Sequence, residues 1–169
     1  MQFKISIRKA NFKDTRFLLK IHNESVKRKF INSTKINNKN IYIWDRWFKN
    51  KLKSKNFITF IGNKNQKKFG YVSFDEIKKN IFEVRIGNLP NFYNKGLGSL
   101  MLSISLKKFF KKYKPKKIIS VVKKFNKRSS KCFLKNGFKK KKINYQKYPF
   151  LSKFDLKNDE YFELNKLTK

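Results

Sequence analysis

Gly96-Leu97-Gly98-Ser99 opens a run in which Leu97, Leu100, Met101 and Ile104 recur at the i, i+3, i+4, i+7 spacing of one helix face. A glycine turn feeding a helix start leaves several backbone N–H groups unpaired at the positive end of the helix dipole. That is an anion site, and phosphate is its usual occupant. Asn94, Lys95, Gly96, Leu97, Gly98 and Ser99 are the residues that would surround it. Two better-known phosphate loops fail on spacing. No G-x-x-x-x-G-K-[ST] is present, and a dinucleotide fingerprint needs a glycine where Met101 stands. A glycine turn that merely caps a core helix would share the local pattern. Further on, Asn126 to Phe138 reads N-K-R-S-S-K-C-F-L-K-N-G-F, a short helix begun by Asn126 and closed by Gly137 as a natural C′ glycine. Cys132 on that helix has no histidine-bearing base motif beside it and is expected to be a small buried residue.

The elements around these motifs follow from periodicity. Phe3, Ile5 and Ile7 alternate with polar residues as a first strand. Asn11 then caps a helix to about Asn23, with Phe12, Phe17, Leu18 and Ile21 as its buried stripe. Glu24 to Asn40 is polar and irregular, and Ile41 to about Leu52 reads as a second helix anchored by Trp47-Phe48. Phe57–Ile61, Phe69–Phe74 and Ile81–Gly87, joined by short turns, form an antiparallel meander. In the third of these, Phe82, Val84 and Ile86 share one face and Glu83 and Arg85 the other. Pro90 cannot donate to a ladder, so pairing is expected to open there. A helix over Gly96–Tyr113, a buried strand at Ile118–Val122, a weak strand from Phe138 through Tyr145, a tail over Lys147–Asn158 and a closing strand at Tyr161–Leu164 complete the chain.

The loop Tyr93-Asn94-Lys95-Gly96-Leu97-Gly98 resembles [QR]-x-x-G-x-[GA], the acyl-CoA pyrophosphate loop of the GNAT superfamily of N-acetyltransferases, with Tyr93 in place of the leading Gln or Arg. Asn126 to Phe138 resembles the superfamily's second signature, N-x-x-[AS]-x-x-x-[YF]-x-x-x-G-F, at the distance of one helix and one strand. The resemblance implies a single α/β (α+β) domain over residues 1–169. Its central sheet would be mixed and mostly antiparallel, with helices on both faces and a splayed strand pair holding acyl-CoA. It implies acetyl-CoA as acetyl donor, no metal, and direct transfer to an amine.

By the same resemblance, Asn126 and Ser129 lie beside the pantetheine arm and Phe133 near the thioester. A tyrosine at that last position would protonate the leaving thiolate. Phe133 has no proton to give, so Ser129, Ser130, another tyrosine or water must serve. Glu83 stands where the family often has a glutamate as general base; the alternative is a surface pair with lysines. A strand N–H within Ile86 to Leu89, a stretch that includes Asn88, would meet negative charge on the thioester oxygen.

The region from His22 to Leu52 resembles, in its layout, two subgroups: amino-sugar-nucleotide acetyltransferases of pseudaminic and legionaminic acid type, and ribosomal-protein N-terminal acetyltransferases. The first is preferred, with His22, Asn23, Trp44, Trp47 and Tyr71 as substrate contacts. The expected partner is therefore a small-molecule amine, with a sugar nucleotide favoured. A non-catalytic, basic RNA-binding module of the same scaffold is the rival. Tyr93 and Phe133 favour it, whereas intact Gly96, Gly98 and Asn126 speak against it.

On its face the charge suggests nucleic acid or an anionic membrane. The chain carries 45 Lys+Arg against 10 Asp+Glu, a net +35. The excess is mostly lysine spread along the whole length, beside abundant Asn, Ile and Phe, residues of AT-rich codons. Composition bias thus accounts for it without a specific nucleic-acid partner, while general attraction to polyanions, CoA included, is expected. No apolar run is long enough to span a membrane, and the first ten residues lack a signal-peptide core. With one cysteine, Cys132, no internal disulfide can form, which fits a reducing cytoplasm.

Overall fold

The computed structural model describes residues 5–142 and 157–165. Its elements, in chain order, begin with β1 (Ile5–Lys9), α1 (Thr15–Lys27), α2 (Ile41–Lys53), β2 (Phe57–Lys64) and β3 (Lys67–Lys78). They continue with β4 (Ile81–Asn88), α3 (Leu97–Lys112), β5 (Lys117–Lys123), α4 (Lys127–Lys135), β6 (Lys139–Lys141) and β7 (Asp159–Asn165). The strands form one sheet in the order β1-β2-β3-β4-β5-β7-β6. β4 and β5 run parallel, and the other neighbouring pairs are antiparallel. The mixed, mostly antiparallel sheet is the expected one. Phe3, the continuation of the Phe138 strand through Tyr145 and most of the expected 147–158 tail lie outside the described residues.

Strand alternation gives the sheet two apolar faces, each covered by a helix pair. One carries Ile58, Val72, Phe74, Phe82, Val84 and Ile118 against α3 and α4. There Phe109 of α3 stacks on Phe74 with centroids 4.1 Å apart and meets Phe82 edge-on at 4.9 Å. The other face packs Phe57 and Ile61 against Leu18 of α1 and Phe48 of α2.

Several expected details shift. Phe12 is 51% exposed because Asn11 caps a separate 3-10 turn, Phe12–Asp14, and not α1 itself. The stripe that α1 buries is Thr15, Leu18, Leu19 and Ile21, and the helix continues through Glu24 to Lys27. On α3 the buried set is Leu97, Met101, Leu102, Ser105, Leu106 and Phe109, which centres the inner face near Ser105 and leaves Leu100 45% exposed. β3 runs on through Asp75, so the turn to β4 comes at Asn80 (φ 61°). Trp47 is 41% exposed, and Phe48 beside it is the residue that anchors α2.

Candidate active site

β4 and β5 hydrogen-bond over only three register pairs, Ile81–Lys117, Phe82–Ile118 and Glu83–Ile119. On its other edge β4 stays paired with β3 as far as Asn88, and the Leu89 N–H donates to the Phe69 carbonyl at 2.8 Å. The strands therefore part after Glu83, well before Pro90, which ends the β3–β4 ladder instead of opening the β5 side. In an antiparallel ladder alternate residues donate to the same neighbour. Since Leu89 donates to β3, the N–H groups of Ile86 and Asn88 face the opening left by β5.

The glycine loop closes the wide end of that opening. Asn94 (φ 59°) and Gly96 (φ 70°) take left-handed backbone angles that turn the chain into α3. No side chain caps this 16-residue helix, so the N–H groups of Leu97, Gly98 and Ser99 keep no intrahelical partner. The space where a Gly96 side chain would stand is empty to 4 Å. A Cβ on Gly98 would come within 2.9 Å of Asn88 Nδ2, and Asn88 Oδ1 is buried without a hydrogen-bond partner. Free donors and an empty cradle fit a phosphate-bearing ligand. Leu97 itself is 3% exposed and offers only its backbone.

Glu83 sits at the apex, 5% exposed at the last pair joining β4 to β5. Arg85, two residues along on the same face, holds both of its oxygens, with Nη2–Oε2 2.6 Å and Nε–Oε1 3.2 Å. Burial works against the Arg85 charge, but the Glu83 carboxylate outweighs it and raises the guanidinium pKa. Asp75, directly across from Glu83 on β3, is held by Lys51 of α2 at 2.8 and 3.0 Å. Among the described residues, no group of three or more His, Cys, Asp and Glu lies together to hold a metal.

The family model "Acetyltransferase (GNAT) domain" matches residues 4–139. The chain belongs to the GNAT acetyltransferases. It is an acyltransferase of a family that uses acetyl-CoA as donor. Solved structures share the fold. The spermidine N-acetyltransferase from Vibrio cholerae in complex with CoA and spermine superposes at TM-score 0.78, with 16% identity over 96% of this chain and 95% of that one. The ribosomal-protein-alanine N-acetyltransferase from Brucella melitensis gives 0.75, with 18% identity over 95% and 99%. A domain from Methanocaldococcus jannaschii gives 0.72, with 24% identity over 97% and 99%. No curated protein matches at a significant level.

In this acetyltransferase the second signature is a scaffold beside the loop. Asn126 Oδ1 caps α4 by accepting from the Ser129 N–H at 3.4 Å. Ser130 donates to Glu160 Oε2 of β7 at 2.7 Å. At the other end of α4, Asn136 Nδ2 donates to the Ser99 hydroxyl at 3.0 Å, which fixes the first turn of α3. Phe133 is 1% exposed, stacked at 5.9 Å on Phe162 and edge-on at 5.1 Å to Phe138. Cys132 is partly buried, and burial pushes its thiol up to about 12.

The expected acceptor residues divide into two groups. His22 and Asn23 are occupied in fastening the segment between α1 and α2. His22 Nε2 lies 3.1 Å from the Thr34 carbonyl, and Asn23 makes a two-way bond with the Ile36 backbone, at 2.8 and 2.9 Å. Trp44 donates to the Thr15 carbonyl at 3.2 Å and continues a ring series to His22 and Trp47, with centroids 4.9 and 5.1 Å away. Tyr71 shares the Glu83 and Arg85 face, opposite Gly87, where a Cβ would come within 2.7 Å of its ring. Burial raises the Tyr71 phenol pKa, so it remains a hydrogen donor at neutral pH.

A further cluster lies beyond what local sequence showed. The Arg128 guanidinium of α4 sits 4.0 Å from the Tyr93 ring centroid and 5.7 Å from that of Phe30. Arg28 approaches Tyr93 at 5.4 Å, and Phe30 meets Phe125 at 6.0 Å. These residues come from the turn after α1, the loop before α3, the β5–α4 turn and the first turn of α4. Contacts among such distant segments leave no periodic signal.

Proposed function

We propose that this acetyltransferase moves the acetyl group of acetyl-CoA directly to a primary amine, with Glu83 as general base and an amino-sugar nucleotide as acceptor. The opening between β4 and β5, with Glu83 at its apex and the uncapped N-terminus of α3 at its mouth, carries the reading. Bound acetyl-CoA supplies an acetyl group activated as a thioester. The N–H groups of Leu97, Gly98 and Ser99 would hold its pyrophosphate, with Asn94, Lys95 and Gly96 shaping the turn. Asn88, Leu89, Asn126 and Ser129 would border its arm. Ile86 and Asn88 N–H groups are aimed where negative charge develops on the carbonyl oxygen.

An amine attacks only when neutral, so Glu83 takes its proton, directly or through water. Because Phe133 has no proton to give, the thiolate proton falls to Tyr71, Ser129 or water. The acceptor would lie on the Glu83 face. Ring stacking is not required of a polyamine, but the ring series Trp44–Trp47 suits a base or sugar. Asp75, Glu83 and Glu163 of this face are each already paired with a cation, which leaves little to attract a polycation.

The test is acetyl-CoA binding by calorimetry at several salt concentrations, comparing wild type with Gly98→Trp. Stoichiometric binding that survives moderate salt and is abolished by the substitution is expected. Acetyl transfer to 4-amino sugar nucleotides, polyamines and N-terminal peptides then ranks the acceptors. Binding that fades with salt and ignores Gly98→Trp would mean simple polyanion attraction and would defeat the reading.

A further inference from the structure

The superfamily's loop pattern begins with Gln or Arg, and here that position is Tyr93, which cannot offer a positive charge or an amide donor. The structure places a cation on it from elsewhere. Arg128 lies over the Tyr93 ring at 4.0 Å and is also flanked by Phe30 at 5.7 Å. Aromatic contact takes up the flat faces of a guanidinium and leaves the N–H groups in its plane available. Among the described residues no carboxylate pairs with Arg128, whereas Arg28, the second cation near Tyr93, has Glu24 3.7 Å away. α4 lies alongside the glycine loop, with Arg128 touching Tyr93 near its start and Asn136 bonded to Ser99 at its end. The stack is thus fixed to the same short loop whose next residues turn their N–H groups outward.

We infer that Arg128, held by Tyr93 and Phe30, is a phosphate-binding residue for the pyrophosphate of acyl-CoA and replaces the loop cation or amide that Tyr93 lacks. The inference rests on the acetyl-CoA reading above. Tyr93 acts as the platform that sets the guanidinium plane, and Phe30 extends that platform from the segment after α1. A planar fork matched to phosphate oxygens is what a lysine at the same place would not supply.

Calorimetry with CoA, and with pantetheine, which has no phosphate, tests it on wild type, Arg128→Ala, Arg128→Lys and the double variant Tyr93→Arg/Arg128→Ala. Arg128→Ala should weaken CoA about 10- to 30-fold, the scale of one charge-assisted phosphate contact, and leave pantetheine unchanged. Arg128→Lys should fall between. The double variant, which returns a cation to the loop, should recover CoA affinity to within about threefold of wild type. Thermal melts check that α4 is intact in each. The inference is overturned if Arg128→Ala binds CoA as wild type does, or if pantetheine weakens equally. In both of those cases wild type still binds CoA and Gly98→Trp still abolishes it, so the acetyl-CoA reading stands. A wild type that binds no CoA overturns both.

Discussion

Glu83→Gln keeps the outline of the side chain and removes its capacity to take a proton. Glu83 is 5% exposed, but the Arg85 side chain that pairs with it keeps 43% of its surface in solvent. Water can therefore satisfy the donors that Arg85 loses, and stability should fall by no more than about 1 kcal/mol. The rate should respond far more. A positioned base contributes about 10²- to 10⁴-fold, so kcat should drop at least about 100-fold, equivalent to about 2.7 kcal/mol of transition-state free energy. Acetyl-CoA affinity should stay within about twofold, because the pyrophosphate donors lie on α3 and not on β4. The pH dependence separates a base from a structural pair. Below its own pKa the acceptor amine is mostly protonated and needs the base. As pH rises toward that value solvent removes the proton, and the deficit of the variant should narrow. Steady-state kinetics from about pH 7 to 10, on material with a wild-type melting profile, supply the data. A folded variant retaining a third or more of kcat, or one whose deficit does not change with pH, would refute the role of Glu83.

Gly70→Ala places a Cβ 2.7 Å from the Gly87 carbonyl across the β3–β4 ladder, and 3.0 Å from Met101 Cε. Backbone cannot step aside, so urea unfolding should show a loss of about 1–3 kcal/mol; Gly98→Ala meets only the tip of Asn88 and should cost less. Asp14 is fully buried, and although burial favours its neutral form, Arg8, Lys68 and the Asn11 N–H hold its pKa at about 2, below the ordinary 3.8. Its stabilisation of about 2 kcal/mol is therefore complete above the unfolded value and fades as pH falls toward 2; Asp14→Asn should be weaker by that amount at neutral pH and converge with wild type in acid. Cys132, with its thiol pushed up to about 12, should react with a disulfide reagent at least about 100-fold more slowly in the folded protein than in urea.

The chain's local chemistry determined much of this protein by itself. Gly96 had to start a helix in a left-handed turn, Asn126 had to cap another, and the alternation through Phe57–Gly87 had to make a meander. These are short-range consequences of backbone angle and side-chain period. Helix faces were less legible, because Phe12 and Leu100 fit an apolar period equally well inside or outside. Met101, Leu102, Ser105 and Phe109 occupy the inner face of α3, and Leu100 faces out. Asn23 and His22 looked free for a substrate until the α1–α2 segment folded back and used their polar atoms. Only the tertiary structure decided that β7 inserts between β5 and β6, that β4 and β5 part after Glu83, and that Arg128 lies on Tyr93. Each depends on segments far apart in sequence meeting across the sheet, where packing and pairing energies between them, not the preference of any one segment, fix the geometry.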